Sequence, residues 1–99
     1  MQQVRIDRYV IDTLMPDLVG HDKRPSALLV YLFLAGRGAD TRGRNVVASL
    51  RDIAEGTGLS KRGVQDAIRL LERRRLVSRT KAVVTSIAAY DVLHPWRRR

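Results

Sequence analysis

The fold is decided by residues 49–77, SLRDIAEGTGLSKRGVQDAIRLLERRRLV, in which two amphipathic helix patterns are separated by a tight turn. Ser49 precedes the first pattern and Asp52 follows three residues later, a spacing that allows a capping box at a helix start. The first pattern ends by about Gly56 to Gly58, since glycine commonly terminates helices. Three apolar residues form its inward stripe: Leu50, Ile53 and Ala54.

The second helix pattern follows Gly58 and Leu59, with Ser60 in the N-cap position. Four residues at i, i+3, i+4 and i+7 share the face that we expect to be buried: Val64, Ala67, Ile68 and Leu71. The other face carries six polar or charged residues: Lys61, Arg62, Gln65, Asp66, Arg69 and Arg73. The pattern predicts a helix to about Arg74, with one side on the core and a cationic side toward solvent.

An earlier apolar run, ALLVYLFLA at residues 27–35, predicts a helix over about 26–37, because a Pro-Ser pair precedes it and two glycines follow it closely. One stripe should face the core: Leu28, Leu32 and Ala35. The other apolar residues need a second cover, either residues 4–19 folded back or a second subunit. They include Leu29, Phe33 and Leu34.

The remaining segments predict a small sheet. GADTRGRN is typical of a loop, and VVA after it favours a short strand. Beyond Arg75, LVSRT and SIAAYDVL indicate two antiparallel strands, the second with alternation at Ala88, Tyr90 and Val92. The connection KAVVTS has no Asn-Gly or Gly-Gly pair, so the position of its turn stays open. After Pro95 comes a short basic tail in which we expect Trp96 to cover the core.

Composition limits the function classes. The chain has 99 residues, enough for one domain, and its formal net charge of +9 favours a polyanionic partner, nucleic acid before membrane. It has no cysteine, and His21 and His94 are isolated, so no metal or other cofactor is expected. The sequence has no glycine-rich phosphate loop, nucleophile elbow or paired His and carboxylate spacing, so we expect no enzyme activity.

Targeting signals are also not evident. The start MQQVRIDRYV lacks the apolar run of a signal peptide, and no apolar stretch approaches the roughly 20 residues that span a bilayer. We therefore expect a cytoplasmic, nucleoid-associated protein with no membrane partner.

Residues 49–77 resemble the winged helix-turn-helix of bacterial transcription regulators and of plasmid and phage replication-initiator domains. The match rests on five positions with the family's spacing: Ala54, Gly58, Leu59, Val64 and Ala67. The resemblance covers roughly residues 25–93. It implies a mainly α fold with a small β-wing, in which a three-helix core carries an antiparallel hairpin. We expect a single domain over 1–99, made of an N-terminal segment (1–24), a core domain (25–93) and a basic tail (94–99).

The resemblance also implies that the second helix, residues 61–74, is a recognition helix that enters the DNA major groove. Lys61, Arg62 and Gln65 would meet base edges, and Arg69 and Arg73 would meet phosphates. Several further roles follow from the same frame or from local chemistry. Ser60 is expected mainly to cap the helix, and it could also contact a phosphate. Asp66 is expected to form an ion pair with Arg62, and the alternative is that it accepts from cytosine N4. Arg79 and Lys81 on the wing would reach a flanking minor groove or phosphates.

These features favour sequence-selective binding of double-stranded DNA, as in a transcription regulator. Two alternatives remain open: a replication-initiator DNA-binding domain of a plasmid or phage, and a module that binds protein or RNA. A homodimer is possible, because useful specificity usually needs two half-sites. The sequence shows no sign of a small-molecule effector.

Overall fold

The structure, a computed structural model, describes residues 2–81 and 87–97, with only the backbone of Lys81. These residues form a helical body and a sheet of strand order β1-β3-β2, in which both neighbouring pairs are antiparallel. The prediction of a mainly α winged helix-turn-helix with a β-wing is confirmed. Its elements are α1 (Pro25–Arg37), β1 (Val46–Ala48), α2 (Leu50–Thr57), α3 (Lys61–Arg73), β2 (Val77–Lys81) and β3 (Ala88–Val92).

Helix α2 begins at the predicted capping box. The Asp52 N–H donates to Ser49 Oγ at 2.9 Å, and the Ser49 N–H donates to Asp52 Oδ2 at 3.1 Å, so two backbone donors are satisfied reciprocally. The predicted inward residues of α2 do meet the core, with Ile53 fully buried and Leu50 and Ala54 packed at its margin.

The sheet turns one face toward the helices. Val46 of β1 and Arg79 of β2 both pair with Tyr90 in the central strand β3. Residues directly opposite one another point to the same face, and the buried Tyr90 and Val46 mark that face as the inner one. Ala88, Tyr90 and Val92 are all buried, as the alternation predicted, although Ala89 between them is also buried. The turn within KAVVTS lies outside the described residues.

The predicted inward stripe of α1 is wrong in part. Leu28 is buried, but Leu32 and Ala35 lie only at the edge of the core. The residues with the least exposure are Ala27, Val30, Tyr31 and Leu34. The reason is that α1 packs against α2, α3, β3 and the N-terminal segment together, so burial surrounds most of the helix and no single stripe describes it.

The N-terminal segment packs against α1 and covers part of it, which was one of the two predicted alternatives, although Phe33 is covered by Gly56 of α2 instead. Two π-helical segments, Val10–Leu14 and Asp17–His21, run across the body and insert three residues into the core: Val10, Leu14 and Leu18. Trp96 closes the same region by stacking on Tyr9 with a ring separation of 4.7 Å, as expected of a residue that covers a small core. Leu29 of α1 remains 44% exposed.

Candidate nucleic-acid interface

The turn between α2 and α3 is fixed by one glycine and one threonine. Gly58 has φ of 82°, and a Cβ there would meet no atom within 4 Å, so only its left-handed backbone calls for glycine. Its N–H donates to the carbonyl of Ala54 at 2.9 Å. The Thr57 hydroxyl donates to the carbonyl of Ile53 at 2.7 Å, and the Leu59 N–H donates to that hydroxyl at 3.3 Å. These bonds set the direction in which α3 leaves the turn.

Helix α2 also touches α1 closely at Gly56, which lies inside the helix. A Cβ built at Gly56 would overlap the ring of Phe33, so this glycine makes room for the aromatic side chain. The guanidinium of Arg37 also lies over the ring of Phe33, 4.9 Å from its centroid. Phe33 is thereby covered within the chain, and α2 packs closely against α1 at this point.

Helix α3 has two sharply different faces. Its inner face is buried, with Leu70 added to the four predicted residues: Val64, Ala67, Ile68 and Leu71. Its outer face exposes Lys61, Arg62, Gln65, Arg69 and Arg73. The side chains of Arg62 and Arg69 are 84% and 71% exposed. The outer face therefore points to solvent and is accessible to a ligand.

Ser60 acts as the N-cap of α3, as predicted. The Gly63 N–H donates to Ser60 Oγ at 3.0 Å, which satisfies one of the free donors of the first turn. A Cβ on Gly63 would lie 3.3 Å from that hydroxyl, a tight contact. Glycine at this position thus leaves space around the cap.

Asp66 is one of two acidic residues on α3, beside Glu72, and it lies among the exposed arginines of the outer face. Its carboxylate lies 3.8 Å from Arg62 Nε and 3.7 Å from Arg69 Nη1, so the predicted pairing with Arg62 is present. A third arginine, Arg24 at the start of α1, places its Nη1 at 3.7 Å. All three separations exceed hydrogen-bonding distance, and pairs of this kind at the surface contribute about 0–1 kcal/mol. The arginines are gathered around Asp66 but held loosely.

Arg24 was not among the predicted site residues, although it adds a cation to the outer face of α3. It is the N-cap residue of α1 and has 44% of its side chain exposed. Because Arg24 and Asp66 are far apart in the sequence, no local pattern links them. Only the packing of α1 against α3 brings them together.

On the wing, Arg79 belongs to the inner face of the sheet. It pairs with Tyr90 in the register, and its Nη2 lies 3.4 Å from Glu72 Oε1 of α3. Burial raises the pKa of Tyr90, and the nearby guanidinium of Arg79 opposes that shift. The backbone of Lys81 pairs with Ala88, while its side chain lies outside the description. Arg79 is therefore tethered to α3 in the free protein.

In the basic tail, Arg97 is bound to the protein itself. Its Nε and Nη2 donate to the two carboxylate oxygens of Asp7 at 2.7 and 2.8 Å, and Trp96 Nε1 donates to Asp7 at 2.8 Å. The bonds from Arg97, and then from Trp96, lower the pKa of Asp7 to about 2. Arg98 and Arg99 lie outside the described residues.

Other kinds of site find little support in the part of the chain that the structure describes. There, no group of three His, Cys, Asp or Glu residues could hold a metal ion. Over the same residues, no helix has the length and apolar character needed to cross a bilayer.

The comparison with known families agrees with this geometry. A family of helix-turn-helix domains matches residues 21–77, more than half of the chain and the whole of α1, α2 and α3. No curated protein and no solved structure matches the chain. The match suggests DNA binding, the function for which this arrangement of helices is suited. The chain belongs to this family of helix-turn-helix domains.

Proposed function

We propose that this protein binds double-stranded DNA sequence-selectively, with α3 as the recognition helix in the major groove, and that it regulates transcription. One observation carries the proposal: α3 seats its whole apolar side on the protein and presents its cationic side, including the 84% exposed Arg62, to solvent. A helix with its side chains is about 10–12 Å across, and the major groove is about 12 Å wide.

Base recognition would come from the first turns of α3. Lys61, Arg62 and Gln65 are exposed there, and the Ser60 cap and the Gly58 turn fix the start of the helix. Arginine and lysine match guanine O6 and N7, and glutamine matches adenine N6 and N7. A helix start held by the protein's own hydrogen bonds keeps these side chains in register with the base pairs, which specificity requires.

Phosphate contacts would come from residues farther along and beside the helix. Arg69 and Arg73 lie on the same exposed face, about two and a half and three and a half turns from the N-cap Ser60. Arg24 would extend this set, because it already lies beside Asp66 on that face. Such contacts position a protein on the duplex and carry no sequence information themselves.

Asp66 would keep the arginines in place until DNA arrives. It lies 3.7–3.8 Å from three guanidinium groups, and those pairs are weak enough for phosphates and base edges to replace them. This role suits Asp66 better than direct contact with cytosine, since its side chain is only 30% exposed.

The wing would add flanking contacts through Arg79 and Lys81. Arg79 would have to exchange Glu72, now 3.4 Å away, for a phosphate or a minor-groove edge.

A homodimer would bring two recognition helices to two half-sites. Apolar residues that remain exposed, among them Leu29, Val47 and Ile87, offer surface for such an association.

The test is selection of bound sites from a random duplex library by the full chain, followed by affinity measurement with the selected site. We expect a short motif, repeated with inverted symmetry if the protein binds as a dimer. Unlabelled duplex DNA should displace the selected duplex from the protein, whereas RNA of the same length should not. Absence of duplex binding at low ionic strength, or equal competition by RNA, would contradict the proposal.

A further inference from the structure

A second concentration of arginines lies at the end of the sheet away from the wing turn. Because both strand pairs are antiparallel, the starts of β1 and β2 and the end of β3 meet at one end. Lys81 and Ala88, which lead into the wing turn, pair at the other end. Four arginines flank the first end: Arg42 and Arg44 before β1, Arg75 before β2 and Arg97 after β3.

Three arginines surround a cleft of about 330 Å³ at this end, which we call the arginine cleft. They come from separate parts of the chain: Arg5, Arg42 and Arg97. Ala35 and Val92 contribute apolar surface to the cleft. Its volume falls at the lower end of the range of small-molecule sites. An adjoining depression shares Arg42 and Arg97 and adds Arg44 and Arg75, so positive charge continues past the rim.

The loop that carries Arg42 is held firmly against β3. The Val92 N–H donates to the carbonyl of Gly43 at 2.7 Å, and the Gly43 N–H donates to the carbonyl of Gly38 at 2.8 Å. Gly43 has φ of 81°, and a Cβ there would lie 3.0 Å from Val92 Cβ, so the loop and the strand approach closely. The Thr41 hydroxyl also donates to the carbonyl of Arg44 at 2.7 Å. The backbone of Arg42 is therefore fixed before any ligand binds.

The cleft has more positive than negative charge close to it. Among the described residues, Arg5 and Arg42 make no salt bridge, whereas Arg97 is paired with Asp7. Asp91 lines the adjoining depression, and its carboxylate accepts the Asn45 N–H at 2.8 Å. His94 also lines the cleft; burial, followed by the charge of Arg97, lowers the pKa of its imidazole. The guanidinium groups of Arg5 and Arg42 thus have no anionic partner within residues 2–81 and 87–97.

We propose that the arginine cleft binds the phosphate group of a small organic phosphate of the mononucleotide class, through Arg5 and Arg42, with Arg97 as a further cation in the lining. The planar guanidinium fork matches two phosphate oxygens, and the apolar surface of Ala35 and Val92 suits the non-phosphate part of the molecule. This site is separate from the proposed DNA interface, because the residues that line the cleft include none from α3.

The test titrates the full chain with adenosine monophosphate or adenosine at constant ionic strength. Binding is monitored by the amide chemical shifts of the protein. Adenosine monophosphate should change the amide chemical shifts of Gly43 and Val92 until they level off at high ligand concentration. Adenosine should not change them. Replacement of both free arginines, R5Q/R42Q, should weaken binding by about tenfold per arginine. The matched variant R62Q/R69Q, which removes the same charge from α3, should change the affinity by less than about twofold. Spectra of the unliganded variants report whether each is folded.

Duplex DNA provides the second arm. R5Q/R42Q should bind duplex as the unmodified protein does, whereas R62Q/R69Q should bind it weakly. Equal binding of adenosine and its monophosphate, or equal weakening in both variants, would overturn the proposal. Loss of duplex affinity in R5Q/R42Q would assign the cleft to the nucleic-acid backbone and would also overturn it. Failure of DNA binding by α3 would leave the nucleotide result unaffected, so the two proposals fail separately.

Discussion

Two sets of arginines in this protein have the same chemistry and different surroundings. Arg97 donates two hydrogen bonds of 2.7 and 2.8 Å to Asp7, which also accepts from Trp96. Arg62 and Arg69 lie 3.8 and 3.7 Å from Asp66, with no hydrogen bond at that distance, and most of each side chain is exposed. Hydrogen-bond geometry separates the two sets, since the Arg97 side chain is itself 53% exposed. Arg97 joins two chain segments, whereas Arg62 and Arg69 are available to a ligand.

The largest effect on DNA binding is expected from replacing the exposed side chains of α3. The double variant R62A/Q65A should lose about 3 kcal/mol of discrimination between the selected site and random duplex, because each good base contact contributes about 1–3 kcal/mol. Its stability should be almost unchanged, since both side chains are exposed. Fluorescence anisotropy with both duplexes measures this.

R97A is the matched control for that experiment. It removes an arginine from the hydrogen-bonded cluster of Asp7, Trp96 and Arg97, which we call the clamp. R97A should therefore lower stability and leave discrimination between the duplexes intact. Equal loss of affinity by R62A/Q65A on both duplexes would show that these residues do not select bases.

The second effect concerns the clamp itself. D7N removes the charge that Arg97 and Trp96 share, and we expect unfolding to become easier by about 2 kcal/mol. Urea unfolding at pH 7 measures the change. D12N is the control, because Asp12 lies 3.1 Å from Arg8 in a largely exposed pair on the same segment. That pair should contribute less than about 0.5 kcal/mol, and equal losses in D7N and D12N would contradict a special role of the clamp.

The clamp should also respond to acid. The pKa of Asp7 is lowered from 3.8 to about 2, so its contribution to stability is fully present above pH 4 and is lost as the pH falls toward 2. Because water screens the pair, we expect about 1 kcal/mol over this interval. The difference in unfolding free energy between the unmodified protein and D7N should shrink from pH 5 to pH 2. A difference that stays constant over that range would be inconsistent with this titration.

The smallest effect is expected at the loose cluster. D66N should change stability by less than about 0.5 kcal/mol, because the three pairs exceed hydrogen-bonding distance. Its affinity for random duplex at low salt should rise about threefold, since one negative charge leaves the cationic face. D12N removes the same charge far from α3 in the sequence and serves as the reference. A rise of equal size in D12N would mean that net charge alone, and not the position of Asp66, determines the effect.

The local features of this fold could be predicted from sequence. Capping by Ser49 and Ser60, the turn at Gly58 and the two faces of α3 depend on residues within one or two helical turns of each other. Each has a steric or hydrogen-bonding cause that acts over that short range. The outward placement of Lys61, Arg62 and Gln65 follows from the same periodicity.

Features that join distant segments could not be predicted in the same way. The contact of Gly56 with Phe33, the approach of Arg24 to Asp66 and the arginine cleft all depend on tertiary packing. The stripe of α1 was misjudged for a related reason, because a helix covered on several sides loses the amphipathic pattern that marks orientation. The tie between Arg79 and Glu72 likewise requires the register of the sheet.

The strand order carries a consequence for how the chain is made. The central strand, β3, follows β1 and β2 in the sequence, so a ribosome produces both outer strands before the one that pairs with them. Until Ala88–Val92 has been made, β1 and β2 lack the strand that each pairs with in the folded protein. Pairing of β1 with β3 closes about 40 residues of chain and is slow relative to helix formation, whereas β2 and β3 are consecutive strands. We therefore expect the addition of β1 to β3 to be the late step in forming the sheet.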